Sequence, residues 1–362
     1  MEGIWQPGGS GVEIRASQRA RLSVILAARD GEETLMRALE SVLGQRFDRL
    51  QLVIALMPSA DRTRAIAERA AERNIRIELV DVDDVHAAAA FDAGLAVARG
   101  DYVLFMHADD WFGPRALETL LKVAEEGDLD FALPLWVGDA LGMPAALAED
   151  TDARLYRTAS EVSSAAATWV EAGAFDAVTG RLLSRSRIED LALRMNLKPD
   201  PSAYMAAYLE GCEHAAWVPA ARFHASGGAE AVRAEQSGIE ACGRERALLL
   251  DLMHRWGAGD EAMLAVNRHH LHQVIACINE VCARRAISSI ERCARVRDIL
   301  KARDTREAVA ALNADGEARR AMGLMYGPIV RQNALACCLS ARVAAWMGAP
   351  QELFARRRAA VA

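Results

Sequence analysis

Between residues 22 and 135 the apolar positions alternate between two periods. Short β-prone runs stand at 22–26, 50–56, 75–80, 102–106 and 131–135, and helical spacing fills 32–43, 62–73, 87–98 and 114–126. In the first helical stretch Leu35, Ala38, Leu39 and Val42 fall on one face, the i, i+3, i+4, i+7 spacing of a helix packed on a sheet. Pro114 suits a first helical turn, where its missing N–H would be unbonded anyway. Strands and helices alternating at this length imply right-handed crossovers and an α/β fold with a doubly wound, mostly parallel sheet. Such sheets receive ligands at the carboxyl ends of their strands. That singles out four loops, at 27–31, 57–61, 81–86 and 107–111.

Residues 136–180 are less regular, broken by Gly138, Gly142 and Pro144. From Ile188 the spacing turns helical, with a helix expected at 202–209 behind Pro199 and Pro201. Past Ser226-Gly227-Gly228 the β-prone runs disappear, and three or four amphipathic helices follow, parted near 257–259, 286–289 and 315–316. The chain therefore divides into an N-terminal extension (1–20), an α/β domain (21–228) and an all-helical C-terminal domain (229–362). The last is read as a separate bundle or self-association module. His269 and His272 share a helix face and read as solvated polar surface; the basic tail at 353–358 reads as a helix C-terminus with favourable dipole charges.

Composition narrows the function. A hydrophobic share of 52% with 26% charged residues allows a real core, and a net charge of −7 gives no reason to expect nucleic acid as partner. Seven cysteines, odd in number and without a CxxC pair, read as reduced thiols in a cytoplasmic protein. The first fifteen residues lack the pattern of a signal peptide. No apolar run reaches the ~18–20 residues of a membrane span. The first strand's loop has no GxGxxG and the chain has no GxxxxGK[ST], which excludes a classical dinucleotide site and a P-loop hydrolase.

Five segments together resemble the family 2 glycosyltransferases, inverting enzymes of GT-A fold. Residues 21–43, RLSVILAARDGEETLMRALESVL, look like the family's first strand, loop and helix. Ser59-Ala60-Asp61-Arg62-Thr63 matches the end of its VDDGSTD motif, and 87–105 looks like the stretch leading into its metal motif. His107-Ala108-Asp109-Asp110-Trp111 stands where the family has Asp-x-Asp-Asp, and Thr179-Gly180-Arg181-Leu182-Leu183-Ser184-Arg185-Ser186 resembles the segment before its acceptor-side helix. The resemblance covers residues 21–225.

It implies a nucleotide-sugar donor, a glycan acceptor and a Mn²⁺ or Mg²⁺ ion that neutralises the departing diphosphate. By the same resemblance His107, Asp109 and His224 are the metal candidates. Ala28, Arg29, Asp30, Ser59, Asp61, Asp84, Phe91 and Asp110 are the donor-site candidates, and Asp200 is the candidate general base. Helix capping beside Pro201 is the other reading of Asp200. The chain departs from the family where Leu56, Met57 and Pro58 replace the acids and glycine of VDDGSTD. It departs again where Phe91 replaces the basic residue near the diphosphate, and where His107 replaces the first Asp of the metal motif. QxxRW, the processive signature, is absent. Two readings follow: a glycosyltransferase with an atypical donor site, or an inactive GT-A scaffold that binds a partner.

Overall fold

The computed structural model describes residues 20–47, 49–137, 152–198, 200–225, 238–284, 287–312 and 315–344. The breakers Gly138, Gly142, Pro144 and Pro199, the Ser226-Gly227-Gly228 break, the tail at 353–358 and all but the last residue of the 1–20 extension lie outside them.

A nine-stranded mixed sheet organises the α/β part. Its strands are β1 (Leu22–Ala28), β2 (Leu50–Leu56), β3 (Ile77–Asp81), β4 (Tyr102–His107), β5 (Trp111–Phe112), β6 (Phe131–Val137), β7 (Arg154–Tyr156), β8 (Leu182–Ser184) and β9 (Ala215–His224). The order is β3-β2-β1-β4-β8-β6-β9-β5, with β7 paired to β9. The first four strands are parallel, as the alternating periods imply. β8 runs antiparallel between β4 and β6, which makes the sheet mixed. Helices α1 (Leu35–Leu43), α2 (Thr63–Arg73), α3 (Ala87–Val97) and α4 (Ala116–Gly127) are the crossovers. Pro114 sits before the helix, not in its first turn, because Arg115 takes a left-handed φ of 62° ahead of α4.

β9 is where the sequence reading fails, since helical spacing was expected from Ile188 onward. Its ten residues carry Pro219 near the middle, and the register against β6 shifts between Pro134 and Leu135, so no clean alternation marks it. The helix after Pro199 does form, as Pro201–Leu209. Between β7 and β9 lie α5 (Ala159–Ser164), α6 (Ala166–Glu171), α7 (Arg185–Asp190) and this helix, α8.

Every residue of β1 and β2 is buried, so both sheet faces are covered. Successive side chains serve opposite cores. Val24 and Leu26 pack with α1 and α4 residues such as Leu39 and Leu120, while Ile25 and Val53 face Leu95 of α3 and Tyr204 of α8. Each such side chain contributes roughly 1.5–3 kcal/mol.

The helical region begins with α9 (Ile239–Arg255) and α10 (Asp260–Ala283). Leu249, Leu252, Met253, Ala265 and Val266 join the same core as Ile25 and Phe105. From Leu271 onward α10 enters a third core with Val274, Ile278, Val296, Leu300, Leu312 and Met322. Helices end at Arg255 and Ala283 and others start at Ser289 and Gly316, near the three breaks the sequence placed. A further break at Ala302, which it did not place, parts Ser289–Lys301 from Arg303–Ala311.

Two outcomes are expected. A methyl added at Gly94 of α3 would stand 2.3 Å from Cγ2 of Ile25 on β1, so Gly94→Ala should destabilise the fold by about 1–3 kcal/mol in urea titration. His270 on α10 is fully buried, and burial followed by the charge of Arg246 lowers its pKa to about 4. An unfolded histidine titrates near 6.5, so the unfolded state binds the extra proton between these values. Stability from this group is complete above pH ~6.5 and falls as pH drops toward 4, by at most about 3 kcal/mol. His270→Leu should flatten the pH dependence of Tm in that window.

Candidate functional site

The sheet's carboxyl-end loops are fastened to β1. Its ladder continues past the strands, with Met57 N–H donating to the Ala28 carbonyl at 3.0 Å and Ala108 N–H to the Ala27 carbonyl at 3.1 Å. Side chains then stitch the first loop to the second. Ser59 Oγ accepts from Asp30 N–H at 3.1 Å, and Asp30 Oδ1 accepts from Ala60 N–H at 2.9 Å. Asp61 accepts from Glu32 N–H at 2.8 Å and from both the amide and the hydroxyl of Thr63, at 2.9 and 2.5 Å. Asp30 holds a φ of 46°, a conformation that Asp tolerates better than most residues. Arg29 reaches the third loop, donating to the Val85 carbonyl at 3.2 Å. Asp84 caps the turn before α3, accepting from His86 N–H at 2.9 Å.

The candidate donor residues thus come together, but Asp30, Ser59 and Asp61 spend hydrogen-bonding capacity on one another's loops. Ala28 is fully buried at the strand end. Leu56, Met57 and Phe91, which stand where the family has polar contacts, are 2%, 7% and 5% exposed and turn into the cores on either side of the sheet. Phe91 packs edge-on to Phe105, with ring centroids 5.2 Å apart, and lies 5.3 Å from the His107 ring.

His107 ends β4. Its N–H donates to Oδ2 of the buried Asp110 at 2.9 Å, which pins the turn that presents Asp109. Burial lowers the His107 pKa, against the opposing pull of the Asp109 charge. The Asp109 carbonyl accepts from Arg37 at 2.8 Å. Arg37 also lies over the Trp111 ring at 3.9 Å, and His224 stacks on Trp111 at 4.7 Å with planes 5° apart. Burial, then the charges of Arg222 and Arg37, lowers the His224 pKa. Among the described residues, His107, Asp109 and His224 do not bring three ligand atoms within 4.8 Å of one another. The turn places Asp109 at the carboxyl end of β4, and a carboxylate is the donor type with which Mg²⁺-type ions are held when substrate phosphates complete the shell. Asp200 accepts from Ser202 N–H at 2.9 Å and Ala203 N–H at 3.4 Å, so it caps α8.

One cluster escaped the sequence reading. His269 is not on a solvated face: its side chain is 10% exposed, and Nε2 lies 3.4 Å from both Asp176 Oδ1 and Glu245 Oε1. Asp176 stands three residues before Thr179, which bridges to Phe105 on β4, and Glu245 lies on α9. Burial pushes the Glu245 pKa up, but hydrogen bonds from His269, Gln273 and Ser202, with the His269 charge, outweigh it and hold the carboxyl below its usual range. The three residues span 93 positions of chain, from Asp176 to His269, and meet only after folding, so local spacing carried no signal. A cavity of about 490 Å³, lined by Arg21, Asp101, Asp130 and Arg187 among others, opens at the amino ends of β1, β4 and β6, away from these loops.

Residues 23–142 match the glycosyl transferase family 2 model. That stretch is similar to the family 2 glycosyltransferases. It is 34% identical over 112 residues to the uncharacterized glycosyltransferase YibD of Escherichia coli K12, which covers 31% of this chain and 33% of that protein. It is 28% identical over 113 residues to the succinoglycan biosynthesis protein ExoO of Rhizobium meliloti, covering 31% of this chain and 32% of the other. The matched stretch spans about a third of the length of these curated relatives. In fold the chain is similar to S. aureus TarS 1-349 at a TM-score of 0.56 and 14% identity, over 91% of this chain and 92% of that one. The architecture is therefore GT-A, with the helical region included in the likeness. No helix among the described residues is long and apolar enough to cross a membrane.

Asp61 is the tie between the first two loops, so Asp61→Ala should speed amide hydrogen exchange at Glu32 and Thr63. The Thr63 hydroxyl bond leads the causes that lower the Asp61 pKa. Its contribution is thus present above the ordinary carboxylate value of about 4 and lost as pH falls below it. Protection of these amides that survives the substitution would remove Asp61 from this role.

Proposed function

We propose that this protein transfers a sugar from a nucleotide-sugar donor to a glycan acceptor with inversion, in the assembly of a surface polysaccharide. The observation that carries the reading is the turn after β4, where Asp110 holds the backbone of His107 so that Asp109 is presented at the strand's carboxyl end. The relatives' names point the same way, and TarS has been crystallised with UDP-GlcNAc.

In this reading Asp109 would hold Mn²⁺ or Mg²⁺, which would offset the charge that develops as the diphosphate leaves. Arg29, Asp30 and Asp84 line the donor side, where backbone and loop groups replace the family's acids. Asp200 takes the proton from the acceptor hydroxyl; that oxygen forms a bond to the anomeric carbon from the face opposite the diphosphate. The old carbon–oxygen bond breaks and its electron pair stays with the diphosphate. The helical region from 229 serves self-association. Its support is Leu335, Leu339 and Val343, spaced four apart on a helical stretch at 334–344 and 62%, 55% and 46% exposed. Leu335→Glu with Leu339→Glu should then convert a dimer to a monomer in light scattering.

The scaffold reading draws on a specific observation too: Leu56, Met57 and Phe91 are buried, and Asp30, Ser59 and Asp61 already serve backbone amides. A thermal-shift screen of sugar nucleotides with and without Mn²⁺ separates the two, because ligands of the native state raise Tm by mass action. For the transferase, one donor should raise Tm with Mn²⁺. Asp109→Ala should weaken that binding by about 100-fold or more, and His107→Asp should strengthen it, since hard cations prefer carboxylate oxygen to imidazole. A flat screen selects the scaffold. Donor binding undiminished in Asp109→Ala would overturn the metal assignment.

A further inference from the structure

The geometry points to a second, structural metal site: we propose that Asp176, Glu245 and His269 bind Zn²⁺ and clasp the helical region to the α/β domain. The three ligands come from separate parts of the chain. Asp176 lies in the loop between α6 and β8, Glu245 on α9 and His269 on α10. Their side chains are 3%, 16% and 10% exposed.

The spacing suits ligands around one ion. His269 Nε2 is 3.4 Å from Asp176 Oδ1 and 3.4 Å from Glu245 Oε1. Both separations are longer than the usual length of an N–H···O bond, about 2.7–3.2 Å. Four ligands at about 2.0–2.1 Å from a tetrahedral Zn²⁺ stand about 3.4 Å from one another. All three ligand atoms lie within 4.8 Å of each other.

Gln273 is a second, independent sign. Its Nε2 donates to Glu245 Oε2 at 2.6 Å and lies 3.0 Å from His269 Nε2, while its Oε1 is buried with no hydrogen-bond partner. An unprotonated His269 Nε2 accepts from Gln273, and its lone pair is the one a cation would take. One imidazole with two carboxylates is an N/O set suited to Zn²⁺. The site is separate from the turn that presents Asp109 and does not depend on transferase activity.

The test uses the full chain stripped with a chelator and then given ZnCl₂, MnCl₂ or CoCl₂ alone. Calorimetry should show one Zn²⁺ per chain with a rise in Tm. Asp109→Ala should leave both unchanged, and Glu245→Gln and His269→Gln should each weaken binding at least tenfold. Because these variants can lose stability, the unmutated protein supplies a second reading. Co²⁺ should give the visible absorption of a tetrahedral N/O site without thiolate charge-transfer bands. Absence of stoichiometric Zn²⁺ binding, thiolate bands that assign the ion to cysteines, a preference for Mn²⁺, or binding lost with Asp109→Ala would each overturn the proposal.

Discussion

The central strand β1 is the element on which the rest depends. It pairs in parallel with β2 on one side and β4 on the other, and every one of its residues is buried. Its hydrogen bonding does not stop where the strands stop: the carbonyls of Ala27 and Ala28 hold the first amides of the loops after β4 and β2. Two walls of the candidate cleft are thus placed by one strand. The close approach of α3 requires Gly94 against Ile25, and the turn into β4 requires Gly100, whose added Cβ would meet the Ser23 amide at 2.5 Å. Packing of this kind is intolerant of volume change, which makes the loop positions rigid consequences of the core.

Polar side chains complete what the strand begins. Asp61, Asp30 and Ser59 convert two flexible loops into one surface, and Asp110 does the same for the turn that carries Asp109. The cost is that groups available to a ligand elsewhere in the family are partly committed to structure here. The stack of Arg37, Trp111 and His224 supports the same turn from outside, and it gives His224 a packing role beside the metal candidate role.

The helical region is bound to the α/β part through a shared core and not only at its edge. Leu249, Leu252 and Val266 lie with Ile25 and Phe105, and a new core begins only at Leu271. The buried Arg268, paired with Glu171, Glu261 and Asp315, adds charged contacts across the same seam. α10 therefore spans both units, so changes at its middle are expected to be felt at the sheet.

The sequence by itself determined the parallel half of the sheet, because fully buried strands and one-faced helices leave periods of two and 3.6 in neighbouring residues. It also located the turn at His107–Asp110 and three of the breaks between the C-terminal helices, though not the one at Ala302; these depend on strand ends, glycines and caps close along the chain. What it could not determine was β9, where Pro219 and a shifted register blur the alternation, or the convergence of Asp176, Glu245 and His269. Those three meet only through the packing of α9 and α10 against the loop before β8. Likewise, nothing local distinguishes a His107 exposed to a ligand from one lodged against Phe91. Burial and long-range contact are properties of the closed fold, and they decided which titratable groups stand together and which are spent on holding loops.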